Sequence, residues 1–160
     1  MKKGTWVFAA LIIGVLGASP GYAKVSSDEA RRVIDYYYTG KGGGAVFLKA
    51  ALCKEVIKEG PEKNNCGTPV DESNFPMNEE ITAWASFLVP QGDSDTIYVE
   101  FKNMGMVWKV RELKVKGSVR YRSWTAYKLD RPGKWTISFK QLDEGKQQSV
   151  VLQSFQVNVQ

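Results

Sequence analysis

Residues 81–89 read Ile-Thr-Ala-Trp-Ala-Ser-Phe-Leu-Val, and within them Ile81, Ala83, Ala85, Phe87 and Val89 take every second position. A period of two marks a strand with one buried face. The alternation returns in Ile97, Val99 and Phe101, in Trp135, Ile137 and Phe139, and in Phe155, Val157 and Val159. Turn chemistry separates these runs at Pro90 to Asp95, Asn103-Met104-Gly105, Lys116-Gly117-Ser118, Arg131-Pro132-Gly133 and Asp143-Glu144-Gly145. With Ala45 to Val56 as a first strand, about seven short-linked strands predict an all-β domain, an immunoglobulin-like antiparallel β-sandwich. A small barrel is the alternative. The domain should span residues 45–160.

Ahead of it the period changes. Ser26 and Glu29 have the spacing of a capping box, Ser27 is an alternative cap, and Val33, Ile34 and Tyr37 recur at helical intervals before Gly40. A short N-terminal helix is predicted from about Asp28 to Tyr38, with one or two of the Tyr36, Tyr37 and Tyr38 rings packing on the domain edge. Gly40-Lys41-Gly42-Gly43-Gly44 lacks the GxxxxGK[ST] order of a phosphate loop, so residues 24–44 read as a helix and a glycine-rich joint.

Residues 1–23 address the chain. Lys2 and Lys3 precede an apolar run from Trp6 to Leu16, and Gly17, Ser19, Pro20 and Gly21 break it ahead of Ala23. This is the pattern of a cleavable signal peptide, with cleavage expected after Ala23 and Lys24 as the first mature residue. The run is shorter than the ~20 residues that cross a bilayer, and no later stretch spans one. A periplasmic or secreted protein is predicted.

Composition narrows the chemistry. Losing the leader lowers the formal charge from +5 to +3, yet the remaining charge is lopsided. Cys53 to Glu100 holds ten acidic and three basic residues, and Phe101 to Lys140 holds eleven basic and two acidic. Two surfaces of opposite sign, or two halves that pair with each other, would follow. Cys53 and Cys66 form an even pair in an exported chain and are expected to be bridged across a polar loop. Histidine is absent, which removes Ser-His-acid and Cys-His catalysis and every His-ligated metal site. No cofactor is implied.

The order Ala51-Leu52-Cys53 with Val56, Phe87 with Val89, Arg122-Ser123-Trp124, Gly133-Lys134-Trp135-Thr136 and Phe155-Gln156-Val157 runs from about Ala45 to Val159. It resembles an uncharacterised bacterial family of exported immunoglobulin-like β-sandwich domains. The resemblance implies the fold and brings no reaction or catalytic residues with it. The helix and glycine joint lie outside it, and Cys66 is particular to this chain.

Candidate site residues are few. Lys109, Arg111, Arg120, Tyr121 and Arg122, interleaved with Trp108 and Trp124, have the mix that holds anions and stacks rings. The structural reading is that Trp124 and Trp135 fill the core while the basic residues guard strand edges. Paired carboxylates stand at Glu79-Glu80 and Asp93-Asp95, with Asp71 nearby, all beside turn signals. Asp93-Ser94-Asp95 lacks the ligand spacing of a calcium loop. Met104 and Met106, with Met77, are soft ligands suited to Cu(I), against a hairpin whose methionines simply pack at the sheet end. The favoured function is an exported non-catalytic binding or accessory module that acts on an envelope or extracellular protein. An anionic glycan is a second partner class, and nucleic acid is disfavoured by export and modest charge. The alternative is a histidine-independent carboxylate enzyme of the envelope.

Overall fold

The computed structural model describes residues 26–143, 145 and 147–160. The signal peptide, its cleavage point and Lys24 lie outside the described residues. A helix, α1 (Ser27–Thr39), precedes five strands: β1 (Val46–Cys53), β2 (Glu80–Asn103), β3 (Met106–Lys128), β4 (Gly133–Asp143) and β5 (Gln148–Val159). They make one antiparallel sheet. β3 lines one flank of β2 from end to end, β1 and then β4 occupy the other flank, and β5 pairs with the far side of β4.

Five strands stand where seven were expected. The turn signals at Pro90 to Asp95 and at Lys116 to Ser118 do not end strands, because they face each other across the β2–β3 ladder. Val89 pairs with Ser118 and Ser94 with Lys116, so the register slips at a shared bulge and both strands bend together. Gly117 permits the bend: a Cβ there would lie 3.0 Å from the Pro90 carbonyl oxygen and 3.1 Å from the Gly92 nitrogen. The result is one sheet curled into a half-barrel. At the far end of the hairpin, Met104 (φ 50°) and Gly105 (φ 85°) form a two-residue turn with both residues left-handed.

The inner face carries the core. Ile81, Ala83, Ala85, Phe87 and Val89, then Ile97, Val99 and Phe101, are buried with Trp135, Ile137, Phe139, Val157 and Val159. Phe75 and Leu129 fill the closed end. There residues 72–77 run beside the end of β5, with the Phe75 N–H donating to the Asn158 carbonyl (2.9 Å) and the Gln160 N–H to the Phe75 carbonyl (3.1 Å). The bulge divides β2 into a first arm (Glu80–Val89) and a second (Ser94–Asn103), and on the outer face of the second Glu100 takes both Lys102 (2.9 Å) and Lys140 (2.8 Å). Burial pushes the Glu100 carboxyl up, but these two ammonium groups outweigh it and hold the group below its ordinary range.

The helix begins as its sequence predicts, with Ser26 and Glu29 in a reciprocal capping box. It touches β2 and β3 without burying any residue. Tyr36 and Tyr37 are half-buried, while Tyr38 is exposed. The glycines that follow form a pinned turn: the Tyr36 hydroxyl donates to the Gly44 carbonyl (3.1 Å) and the Gly42 N–H to Asp93 Oδ2 (2.6 Å). No helix among the described residues is long and apolar enough to cross a membrane.

Candidate functional site

The first arm differs from the second in that both faces of β2 are covered. Every residue from Ile81 to Pro90 is buried, and register shows what lies on the outer side. Three cross-strand rows run there: Cys53, Thr82 and Ala126; Ala51, Trp84 and Trp124; Lys49, Ser86 and Arg122. The cover is the loop closed by the Cys53–Cys66 disulfide.

That loop is a built element. The Lys54 N–H donates to the Thr68 carbonyl (2.9 Å), the Gly67 N–H to the Glu55 carbonyl (2.9 Å), and the Ile57 N–H to the Asn65 carbonyl (3.0 Å). Glu55 Oε1 accepts from both the Thr68 N–H (3.0 Å) and its hydroxyl (2.9 Å). These bonds, the backbone one foremost, hold the Glu55 carboxyl below its ordinary range. Asn65 Nδ2 donates to Glu62 Oε2 at the tip. The sheet then grips the loop from below. Trp84 Nε1 donates to the Asn64 carbonyl (2.7 Å), which the left-handed backbone of Asn64 (φ 66°) presents, and Arg122 Nη1 donates to the Lys63 carbonyl (3.3 Å).

Between the loop and β3 a groove of about 500 Å³ remains, with Val56, Ile57, Ala126 and Trp124 as its apolar wall and Lys54, Lys58 and Lys63 beside Glu55 and Glu80 as its charged lining. The loop reaches over Trp84 and stops. Trp124, one strand further out, therefore stays 41% exposed. A fixed aromatic plate beside mobile ammonium groups can pack on an apolar anchor or a ring while the lysines attract negative charge.

The five residues expected to bind are divided by the fold. Lys109 and Arg111 sit on the edge of the second arm, opposite Phe101 and Val99. Tyr121 turns inward and packs on the core, whereas Arg122 points outward to the disulfide loop and Arg120 is exposed. Trp108 lies under the Arg131 guanidinium, 3.8 Å from its centre. Trp135 is a core residue as expected. Trp124 is not, and the signal was present: Tyr121 and Tyr127 share an odd position along the strand and Trp124 an even one. Asn64 and the loop lysines were missed because a loop's docking face has no periodicity to reveal it.

The carboxylate candidates act as acceptors. Asp71 Oδ1 takes the Ser73 hydroxyl (2.6 Å) and N–H (2.9 Å), which holds its carboxyl low. Asp95 Oδ2 takes the Ala45 N–H (2.9 Å) and Gln141 Nε2 (2.7 Å), and its Oδ1 takes the Thr96 N–H (2.7 Å). Asp93 and Asp95 line a second concavity, about 740 Å³, with the glycine turn, Gln141 and Asp143. Glu79 and Glu80 are exposed. Met104 (71% exposed) stands in the hairpin turn with its sulfur beside Gly133, Met106 (61% exposed) opens β3, and Met77 lies beside the last residues of β5. Among the described residues, no group of three or more Cys, Asp or Glu side chains is arranged to hold a metal ion.

No protein-family model matches the chain, and no curated protein does. Among solved structures, it is similar to the Pseudomonas fluorescens alkylpurine DNA glycosylase AlkC bound to DNA containing an abasic site analog, at 8% identity and a TM-score of 0.41. That match covers 72% of this chain and 30% of the other, so the chain spans under a third of that protein's length. A likeness of this strength carries no argument about activity.

Proposed function

We propose that the chain is an exported, non-catalytic binding or accessory module that grips a protein of the cell envelope through the Trp124 groove. The exposure of Trp124 carries the reading. A large aromatic left open beside a scaffold held by a disulfide, an indole and a guanidinium has the rigidity and apolar area of a binding hot spot. Three lysines against two glutamates in the lining lean toward a partner segment with an apolar anchor and acidic flanks.

Several observations support the parts of this reading. A disulfide fits an oxidising compartment and the leader pattern of residues 1–23. Asp71 and Asp95 accept backbone N–H groups, an arrangement suited to fixed structural carboxylates more than to the proton-shuttling acids of a histidine-independent enzyme. A second reading, an anionic glycan, is favoured by the indole face beside three lysines and opposed by Glu55 and Glu80 in the same lining.

The test is affinity capture from solubilised envelope and medium with the chain from Lys24 onward, beside its Trp124→Ala variant, at low and moderate salt. Recovery of one protein by the native chain at both salts, and its loss in the variant, is expected. Equal recovery by both chains removes the groove from the function. Recovery of acidic polymer at low salt alone selects the glycan reading.

A further inference from the structure

Among the described residues, three strands keep a side unpaired in the sheet: β1, β3 and β5. β1 is the shortest, carries Lys49 and has its end taken by the Val70 N–H on the Leu52 carbonyl (3.3 Å), and the two longer edges are opposite in character. From Met106 to Lys128 the β3 edge carries seven basic residues and one acid, a common guard against unwanted pairing. β5 has no such guard. From Gln147 to Gln160 there is no ionisable side chain and no proline. β5 pairs with β4 on one side only, and among the described residues no chain hydrogen-bonds the backbone of its other side before Asn158. Val150 (48% exposed) and Val151 (53%) stand open on it.

The same edge takes main-chain bonds where a segment lies beside it. Residues 72–77 bond to Asn158 and Gln160, with the Asn158 N–H donating to the Glu72 carbonyl (2.8 Å) and the Met77 N–H to the Gln160 carbonyl (3.0 Å). This cover stops before Val157 and leaves about nine residues of ladder unused, a length of ordinary strand pairing.

We propose that the occupant is β5 of a second copy, paired antiparallel about a two-fold axis so that the two half-barrel sheets become continuous. The charge pattern selects this partner. In an antiparallel contact about a two-fold axis the residue on the axis meets itself and every other residue meets the one equally far beyond it; with the axis at Gln153, the middle of the open stretch, position 153 pairs with itself, and like charges placed opposite one another destabilise a ladder. A β3–β3 contact would bring seven basic residues and one acid from each copy into one ladder, whereas a β5–β5 contact brings together no charged side chain. A β5–β3 contact would leave an edge free on each copy and grow a filament instead of closing.

Analytical ultracentrifugation of the chain from Lys24 onward across a hundredfold concentration range reads the stoichiometry, and hydrogen exchange at its two ends reads the place. A monomer–dimer equilibrium is expected, with slowed exchange from Ser149 to Val157 in the concentrated sample and no change along β3. Gln153→Lys and Gln153→Glu should each weaken the dimer at least tenfold, and mixing the two should restore it. A monomer at every concentration overturns the proposal. So does a dimer whose protection falls on β3 or α1. If the variants fail to fold, the exchange map of the native chain still decides.

Discussion

Trp84 and Trp124 lie directly opposite each other on β2 and β3, yet the first is 2% exposed and the second 41%. The difference comes from the loop, which covers one indole and ends short of the other. Replacing the two should therefore separate stability from binding. Trp84→Ala should lose about 3–5 kcal/mol in urea unfolding, the cost of an emptied core site. Trp124→Ala should unfold within about 1 kcal/mol of the native chain, as exposed positions do, while losing partner capture. Equal losses of stability would place Trp124 in the core after all.

Opening the disulfide tests the loop as a part. With Cys53 and Cys66 both changed to Ser, closure of the loop no longer restrains the unfolded chain, and stability should fall by about 3 kcal/mol. Exchange of the Ile57 and Gly67 amides should quicken more than that of the strand amides around Ile97, and capture should fall with it. Preserved protection in the loop would show that Trp84 and Arg122 suffice to hold it.

Acid should loosen the same loop. The Glu55 carboxyl is held below its ordinary value in the folded chain, so its clamp on Thr68 is complete above the unfolded carboxylate pKa and is lost as pH falls through the folded one. Loop-amide exchange, corrected for intrinsic rate, should rise over that acidic window in the native chain. Glu55→Gln should flatten the response there, and an unchanged acid response would assign it to another carboxylate.

Asp95 joins three separated pieces of chain, and Asp95→Ala leaves the Ala45 and Thr96 amides and the Gln141 side chain without that acceptor. A loss of about 2–3 kcal/mol is expected for partly buried donors deprived of a charged partner. Asp95→Asn keeps one acceptor oxygen and should lose less. If both variants unfold with the native chain, water replaces the carboxylate without cost.

Gly117→Ala probes the bend, since the added methyl meets backbone on the facing strand and cannot be relieved by a side-chain rotation. Destabilisation of about 1–3 kcal/mol, as for an overpacked interior, is expected in thermal or urea unfolding. A neutral result would mean that the bulge opens freely.

Much of this architecture could be read from residue order. The alternation of Ile81 to Val89 located the buried strand, Ser26 and Glu29 located the helix start, and an even cysteine count located the bridge. Strand number was not legible, because Pro90-Gln91-Gly92 reads as a turn in isolation and becomes a bulge only when Gly117 faces it. The groove was less legible still. Trp124 announces itself by parity, but Asn64 matters through a carbonyl, a group every residue carries, and its use depends on where the loop lands.

The Asp95 junction also bears on the order of folding. Its carboxylate joins Ala45, 50 residues earlier, and Gln141, 46 residues later, whereas the β2–β3 hairpin closes through the adjacent residues Met104 and Gly105. Contacts near in sequence form with less loss of chain entropy, so the hairpin is the natural template and the splice of β1 to β4 a late event. Made from its N-terminus, the chain can pair β1 with β2 early, but the Ile97–Asn103 side of β2 stays open until β4 has been synthesised, when nearly the whole domain is complete.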